Sequence, residues 1–353
     1  GTESVSVSLS DGANPPVVSG TLTAPNGGGL MSFAGLNLSG LNETNITITV
    51  NFQDVNQNAS TFAGTAGVKD VTAPVQPDAM GIAAVGGTNP TDVINSNTET
   101  SVTLDVTYNA SMAGDESAFA TLSDGGTPLN SGTVTAPGGG GAATFAGLNA
   151  SGLIDGNVNY TVTITDPAGN ATVSTPVVLT KDVVAPSAPT ASHVRDSGSN
   201  PIDVVNSQNV GAVEVDVTFG SGSLATDTVD VSISDGANPA VAIGSGNAAA
   251  GIGTLQFGSG NAAGLNEGNL TLSVTLTDAN LNAATFAGTP ALKDTAPPAD
   301  PTSAIIAATG NNPAGFINTA SQGAVQVDVT VPGSYDGTES VSVSLSDGAN
   351  PPV

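Results

Sequence analysis

Carboxylates recur in this chain at a fixed phase. The pentapeptides DVNQN (54–58), DPAGN (166–170) and DANLN (278–282) stand 112 residues apart. A second acid follows each one in a lysine-bearing stretch: VKDVTAP at 68–74, TKDVVAP at 180–186 and LKDTAP at 292–297. Hard divalent cations take six to eight oxygen ligands, mostly carboxylates and carbonyls. The turn acids Asp54, Asp166 and Asp278 and the linker acids Asp70, Asp182 and Asp294 are therefore candidate metal ligands, and Asn58, Asn170 and Asn282 can add side-chain oxygens. Asp92 and Asp203, in the matching segments NPTDVIN (89–95) and NPIDVVN (200–206), are candidate contributions from the following repeat. The competing assignment for Asp-x-x-x-Asn is an Asx-turn, its carboxylate capping its own backbone. Strand lengths decide whether turn acid and linker acid meet at one pole, and the sequence leaves that open.

The three lysines, Lys69, Lys181 and Lys293, follow the same spacing. One amine per repeat raises an intramolecular isopeptide bond, which needs a desolvated lysine beside an Asp or Asn and a proton-shuttling acid. No acid lies at an obvious partner-strand position, so an ion pair with nearby carboxylates is the simpler expectation. Asp105, Asp216 and Asp328 alternate with apolar neighbours and are expected to face outward. Glu3, Glu116, Asp227 and Glu339, each seven residues before a Ser-Asp-Gly turn, are expected at the surface, as are the unique His193 and Arg195. With one histidine and no cysteine, a zinc cluster or a catalytic triad has no residues to be built from.

The charge balance points the same way. Thirty acids against four basic residues give a net charge of −26. Phosphate binding calls for clustered lysine and arginine, so nucleic acid is an unsuitable partner. Such a charge repels itself unless cations neutralise it.

A fixed period of this size means an array of domains. The boundaries fall at 1–70 (the C-terminal part of one domain), 71–182, 183–294 and 295–353 (the N-terminal part of another, completed by the equivalent of 1–70). In 71–182, strand signals stand at 102–108, 118–123, 132–135, 142–145, 159–165 and 171–180. With an early extended segment they make roughly seven short strands, the pattern of an antiparallel all-β sandwich. No stretch reads as a helix of more than a turn or two, and no apolar run approaches the roughly 20 residues of a membrane span. Residues 1–17 recur unchanged at 337–353 while the intermediate copies have diverged. This predicts a super-repeat of three distinct domains within a longer polypeptide; strand complementation between separate chains is the alternative.

The motifs GLIDGN (152–157), YTVTITDPAGN (160–170) and KDVVAP (181–186), present in three copies in register, resemble the tandem bacterial Ig-like domains of giant calcium-dependent surface adhesins, of the biofilm-associated and RTX types. The resemblance implies seven-stranded Greek-key sandwiches of about 112 residues, secretion to the cell surface, Ca2+ near the domain junctions, and a spacer role with neighbouring repeats as partners. Two departures stand out. The third copy has Ala314, Gly315 and Phe316 where others carry Asp92 or Asp203. The turns at 54–58 and 278–282 lack the glycine of Gly169, so asparagine is expected to supply any left-handed residue there. The expected function is a non-enzymatic, calcium-stiffened stalk; the alternative is a self-assembling sheath, surface layer or filament, a possible homopolymer. A glycan-binding module is disfavoured by an aromatic content of 3%, since sugars stack on aromatic rings.

Overall fold

The computed structural model describes residues 1–196, 200–310, 312–350 and 352. Pro351 and Val353, which belong to the repeated 17-residue stretch, lie outside the described residues. The chain forms two compact units, one of residues 1–184 with 279–282, the other of 185–278 with 283–353. Every regular element among the described residues is a strand.

In the first unit, residues 71–182 close a sandwich. One sheet runs Leu129–Asn130, Ser117–Ser123, Gly156–Thr165, Val177–Lys181, Val93–Ile94; the other runs Gly141–Leu148, Val102–Tyr108, Ala79–Gly81. Alternation decides which side chains enter. In Val102–Tyr108 the residues Val102, Leu104, Val106 and Tyr108 are buried while Thr103 and Thr107 are exposed. Val158, Tyr160, Val162 and Ile164 do the same from the facing sheet. A single core gathers Leu104, Tyr108, Phe145, Tyr160, Ile164 and Leu179, and full burial of such side chains stabilises by about 1.5–3 kcal/mol each.

The structure departs from the expected all-antiparallel arrangement at one pair in each closed sandwich; in the second, Val204–Val205 lies parallel to Ala291–Lys293. In the first, Val93–Ile94 lies parallel to Val177–Lys181, with Thr180 opposite Val93 and Lys181 opposite Ile94. The early segment crosses between sheets: Ala79–Gly81 pairs with Val102–Tyr108, and after the 89–92 turn the chain joins the other sheet. The strand expected over 171–180 is broken into Ala171–Val173 and Val177–Lys181. Pro176 lies in the gap, where it has no N–H to give a ladder. Residues 1–70 form one sheet, ordered Val17–Val18, Ser4–Ser10, Asn45–Gln53, Ala59–Ala63.

The second unit repeats the sandwich. Ala191–Val194, Val213–Phe219 and Gly253–Gly260 form one sheet, facing Val204–Val205, Ala291–Lys293, Gly268–Thr277, Thr228–Ser234 and Val241–Asn247. Val215, Phe219, Ile233, Leu270, Leu272 and Val274 lie in its core. Beyond it, Ser303–Ile306 pairs with Val327–Thr330.

Candidate functional site

The turn acids first organise their own backbone. Asp54 Oδ1 accepts the N–H groups of Asn56 and Asn58 at 2.9 and 2.8 Å, and its Oδ2 accepts Asn58 Nδ2 at 2.7 Å. Asp166 accepts Asn170 N–H at 2.8 Å and Asn170 Nδ2 at 2.9 Å. Donation from the asparagine side chain is the main reason that both carboxyls are held below the usual aspartate range. The fourth turn position is left-handed in all three copies, but asparagine does not fill it. Gly169 has φ 94°, Gln57 φ 68° and Leu281 φ 64°. The caps at the first and fifth positions fix where the left-handed residue falls, so whatever side chain stands there must bear the conformation.

Turn acid and linker acid of one repeat do not meet. Lys181 is in register with Gly156, at the start of the ten-residue strand Gly156–Thr165, and Asp166 follows its far end. Ten strand residues span about 33 Å. The turns at 166–170 and 278–282 instead reach the preceding linker. Asn170 Nδ2 donates to the Asp70 carbonyl at 3.3 Å and Thr172 Oγ1 to the Pro74 carbonyl at 2.5 Å. Residues 279–282, which belong to the first unit, repeat the contact: Asn280 Nδ2 donates to Asp182 Oδ2 at 2.7 Å and Asn282 Nδ2 to the Asp182 carbonyl at 3.0 Å. Asn282 Oδ1 also accepts Ser96 N–H at 2.8 Å. Asp70, Asp182 and Asp294 each accept the N–H two residues ahead, from Thr72, Val184 and Ala296, all at 3.1 Å.

Asp92 and Asp203 are turned into their own sandwiches. Both have left-handed backbones, φ 57° and 59°. Asp92 Oδ1 accepts Ile82 N–H at 2.8 Å, and Asp203 Oδ1 accepts Val194 N–H at 3.0 Å while its Oδ2 lies 3.0 Å from His193 Nδ1. Neither carboxylate is brought to a linker acid by these bonds. Asp278, the third turn acid, precedes the left-handed Leu281 by three residues.

The groove beside the 72–75 linker is lined by Asp70, Asp115, Glu116 and Asp166 and encloses about 780 Å³. Glu116, expected at the surface, is buried, as is Asp227. Burial opposes ionisation of Glu116, but the N–H groups of Ala113 and Gly114, both at 2.8 Å, win and lower its pKa. Asp227, one methylene shorter, accepts Leu224 N–H at 3.1 Å through Oδ2, and its buried Oδ1 has no partner. The donors around the groove are all oxygens, the chemistry a hard cation takes. Among the described residues no three acidic or histidine side chains stand close enough to hold a metal ion together; the carboxylates line the groove without meeting at a point.

The ion pairs expected for the lysines form at Lys181 and Lys293, with acids that the sequence had not singled out. Lys181 Nζ lies 2.7 Å from Asp155 Oδ1 and 3.6 Å from Glu99 Oε2, and Lys293 Nζ 3.2 Å from Glu267 Oε1. Both lysines are almost fully buried. The same acids catch the chain leaving the last strand: Asp155 Oδ2 accepts Val183 N–H at 3.3 Å and Glu267 Oε2 accepts Thr295 N–H at 2.9 Å. Thr295 is the main cause of a lowered Glu267 pKa, with Lys293 adding to it. In 1–70, Glu43 accepts Thr72 Oγ1 at 2.6 Å and Lys69 donates to the Leu41 carbonyl. The signal was available: Glu43, Asp155 and Glu267 share the 112-residue phase, each 26 residues before its lysine.

No family model matches the chain, and no curated protein matches it. Among solved structures it is similar to a tetra-tandem repeat from the extending region of a large adhesion protein, at 20% identity over 94% of this chain and 80% of that one, with a TM-score of 0.28. It is also similar to part of a 1.5-MDa bacterial ice-binding adhesin (16% identity, 82% and 86% covered, TM-score 0.38). The chicken CNTN1 FN1–FN3 domains follow at 12% identity, 81% and 87% covered and TM-score 0.30.

Proposed function

We propose that this chain is an extender segment of a very long extracellular bacterial adhesin, with tandem Ig-like sandwiches stiffened by calcium at the linkers. The observation that carries the reading is that Asp70, Asp115, Glu116 and Asp166 line one groove beside a linker that the 166–172 segment already grips. No lysine or arginine is among the described lining residues. A calcium ion there neutralises carboxylates that otherwise repel, and ties the linker to the turn. Asp70 and Asp115 are the ligands assigned the largest part, since both carboxylate oxygens of Asp166 and of Glu116 already accept N–H groups, whereas Asp70 accepts Thr72 N–H through Oδ1. The role is mechanical, and neighbouring repeats of the same polypeptide are its partners.

The test is calcium titration followed by isothermal calorimetry and thermal melting, on the wild-type chain and on Asp70→Ala. Saturable binding that raises the melting temperature, weakened in Asp70→Ala, is expected. Absence of heat and of any shift at millimolar calcium sinks the calcium part of the reading.

A further inference from the structure

Lys181 differs from its two counterparts in what surrounds its amine. It closes the strand Val177–Lys181, next but one to Leu179 and across the parallel pair from Ile94, both with no exposure. Its own side chain is 3% exposed, with Asp155 at 33% and Glu99 at 24%. Lys69 and Lys293 donate to the carbonyls of Leu41 and Leu265, Lys293 also reaching Glu267 Oε1 at 3.2 Å, whereas Lys181 donates to Asp155 Oδ1 at the shorter 2.7 Å. Glu99 is special to this sandwich. Its N–H bonds to the Asn95 carbonyl, as Val210 does to Asn206 and Gln322 to Asn318, so the matching positions hold valine and glutamine. A buried amine, one carboxyl in contact with it and a second acid within reach thus occur together at 71–182.

We propose that Lys181 and Asp155 become joined by an intramolecular isopeptide bond, with Glu99 carrying the protons. The ammonium gives a proton to Glu99, Glu99 passes it to Asp155 Oδ1, and the neutral amine attacks the Cγ of the neutral acid so formed. Val183 N–H, at 3.3 Å from Asp155 Oδ2, stabilises the oxygen that stays as the amide carbonyl. Glu99 then carries a second proton from the nitrogen to Oδ1. The Cγ–Oδ1 bond breaks and one water leaves; the third ammonium proton remains as the amide N–H. Atoms and charge balance without oxidant, metal or cofactor. The bond ties the end of the last strand to the start of Gly156–Thr165, so a pull on the 182–186 linker is borne covalently and not by the ladder alone.

Intact mass of the denatured 353-residue chain tests this, independently of any cation. The expected mass is one water, about 18 Da, below the sequence mass, with proteolysis yielding a branched peptide that joins Asp155 to Lys181. Asp155→Ala and Glu99→Gln, each checked for native circular dichroism, are expected to show the full mass of their sequences. A wild-type chain of full mass overturns the proposal. Loss of water persisting in Glu99→Gln, or of more than one water in the wild type, overturns the role given to the second acid.

Discussion

Two tyrosines show how differently the same group behaves at the residue scale. Tyr108 and Tyr160 are both buried in one core, but Tyr160 donates to the Asp105 carbonyl at 3.2 Å while the Tyr108 hydroxyl has no partner. An unpaired buried hydroxyl costs stability, and a paired one contributes about 1 kcal/mol net. Tyr160→Phe is therefore expected to destabilise by about 1 kcal/mol and Tyr108→Phe to be neutral or stabilising, as read by urea denaturation. Burial pushes the Tyr108 pKa up to about 12. The folded state thus holds a proton that the unfolded chain releases above about pH 10, so the contribution of Tyr108 to stability is level below that pH and falls as pH rises from there toward 12. That alkaline loss is expected to shrink in Tyr108→Phe; an unchanged profile counts against burial as its cause. Among the acids, Asp182→Ala removes acceptors of Asn280 and Val184, while Asp216 only stands 3.8 Å from Arg195. The first substitution is expected to lower the melting temperature measurably; the second stays within about 0.5 kcal/mol.

At the scale of elements, the five-residue turn shows what sequence makes legible. Its Asp and Asn recur at the ends of DVNQN, DPAGN and DANLN, and both the period and the capping chemistry follow from residue type. Which residue takes the left-handed position does not, because hydrogen-bond closure sets it and two copies place Gln57 and Leu281 there. Gln57→Gly is accordingly expected to be neutral or to stabilise by up to about 1 kcal/mol, while Gly169→Val, β-branched at φ 94°, costs about 1–3 kcal/mol. Equal thermal shifts for the pair contradict the strain argument. The inward strands were legible from period-two alternation, as Val102–Tyr108 shows. The parallel pairing of Val93–Ile94 was not, since nothing local marks a segment that changes sheets. Ser4–Ser10 is a strand against Asn45–Gln53, yet the same residues at 340–346 carry no strand, so identical sequence takes its structure from its partner. The Lys–acid pairs are a third case: the period was visible, but register alone shows that Lys181 faces Gly156 and so neighbours Asp155.

For the whole molecule the deciding quantity is charge. A net charge of −26 predicts that any cation will appear to help, because screening alone relieves repulsion. Specific sites must therefore be separated from ionic atmosphere. At about 0.15 M sodium chloride the screening length is about 8 Å, so the general repulsion is already damped. One millimolar calcium added to that buffer changes ionic strength little, but it occupies any site with a dissociation constant well below that concentration. Linkage then gives about 2.7 kcal/mol at a hundredfold excess over the dissociation constant. Small-angle scattering and thermal melting in that buffer are expected to show a stiffer, more stable chain with calcium than with chelator, and little further response to added sodium chloride. Lowering pH supplies a second axis. Asp54, Asp166 and Glu116 have depressed pKa values, so what they contribute is complete above the usual carboxylate range and is lost as pH falls below about 4 and through those lowered values. The calcium effect is expected to vanish at low pH, because protons and calcium compete for carboxylate oxygens. A calcium response reproduced by matched ionic strength, or one persisting after the carboxylates are protonated, is atmosphere and not site binding.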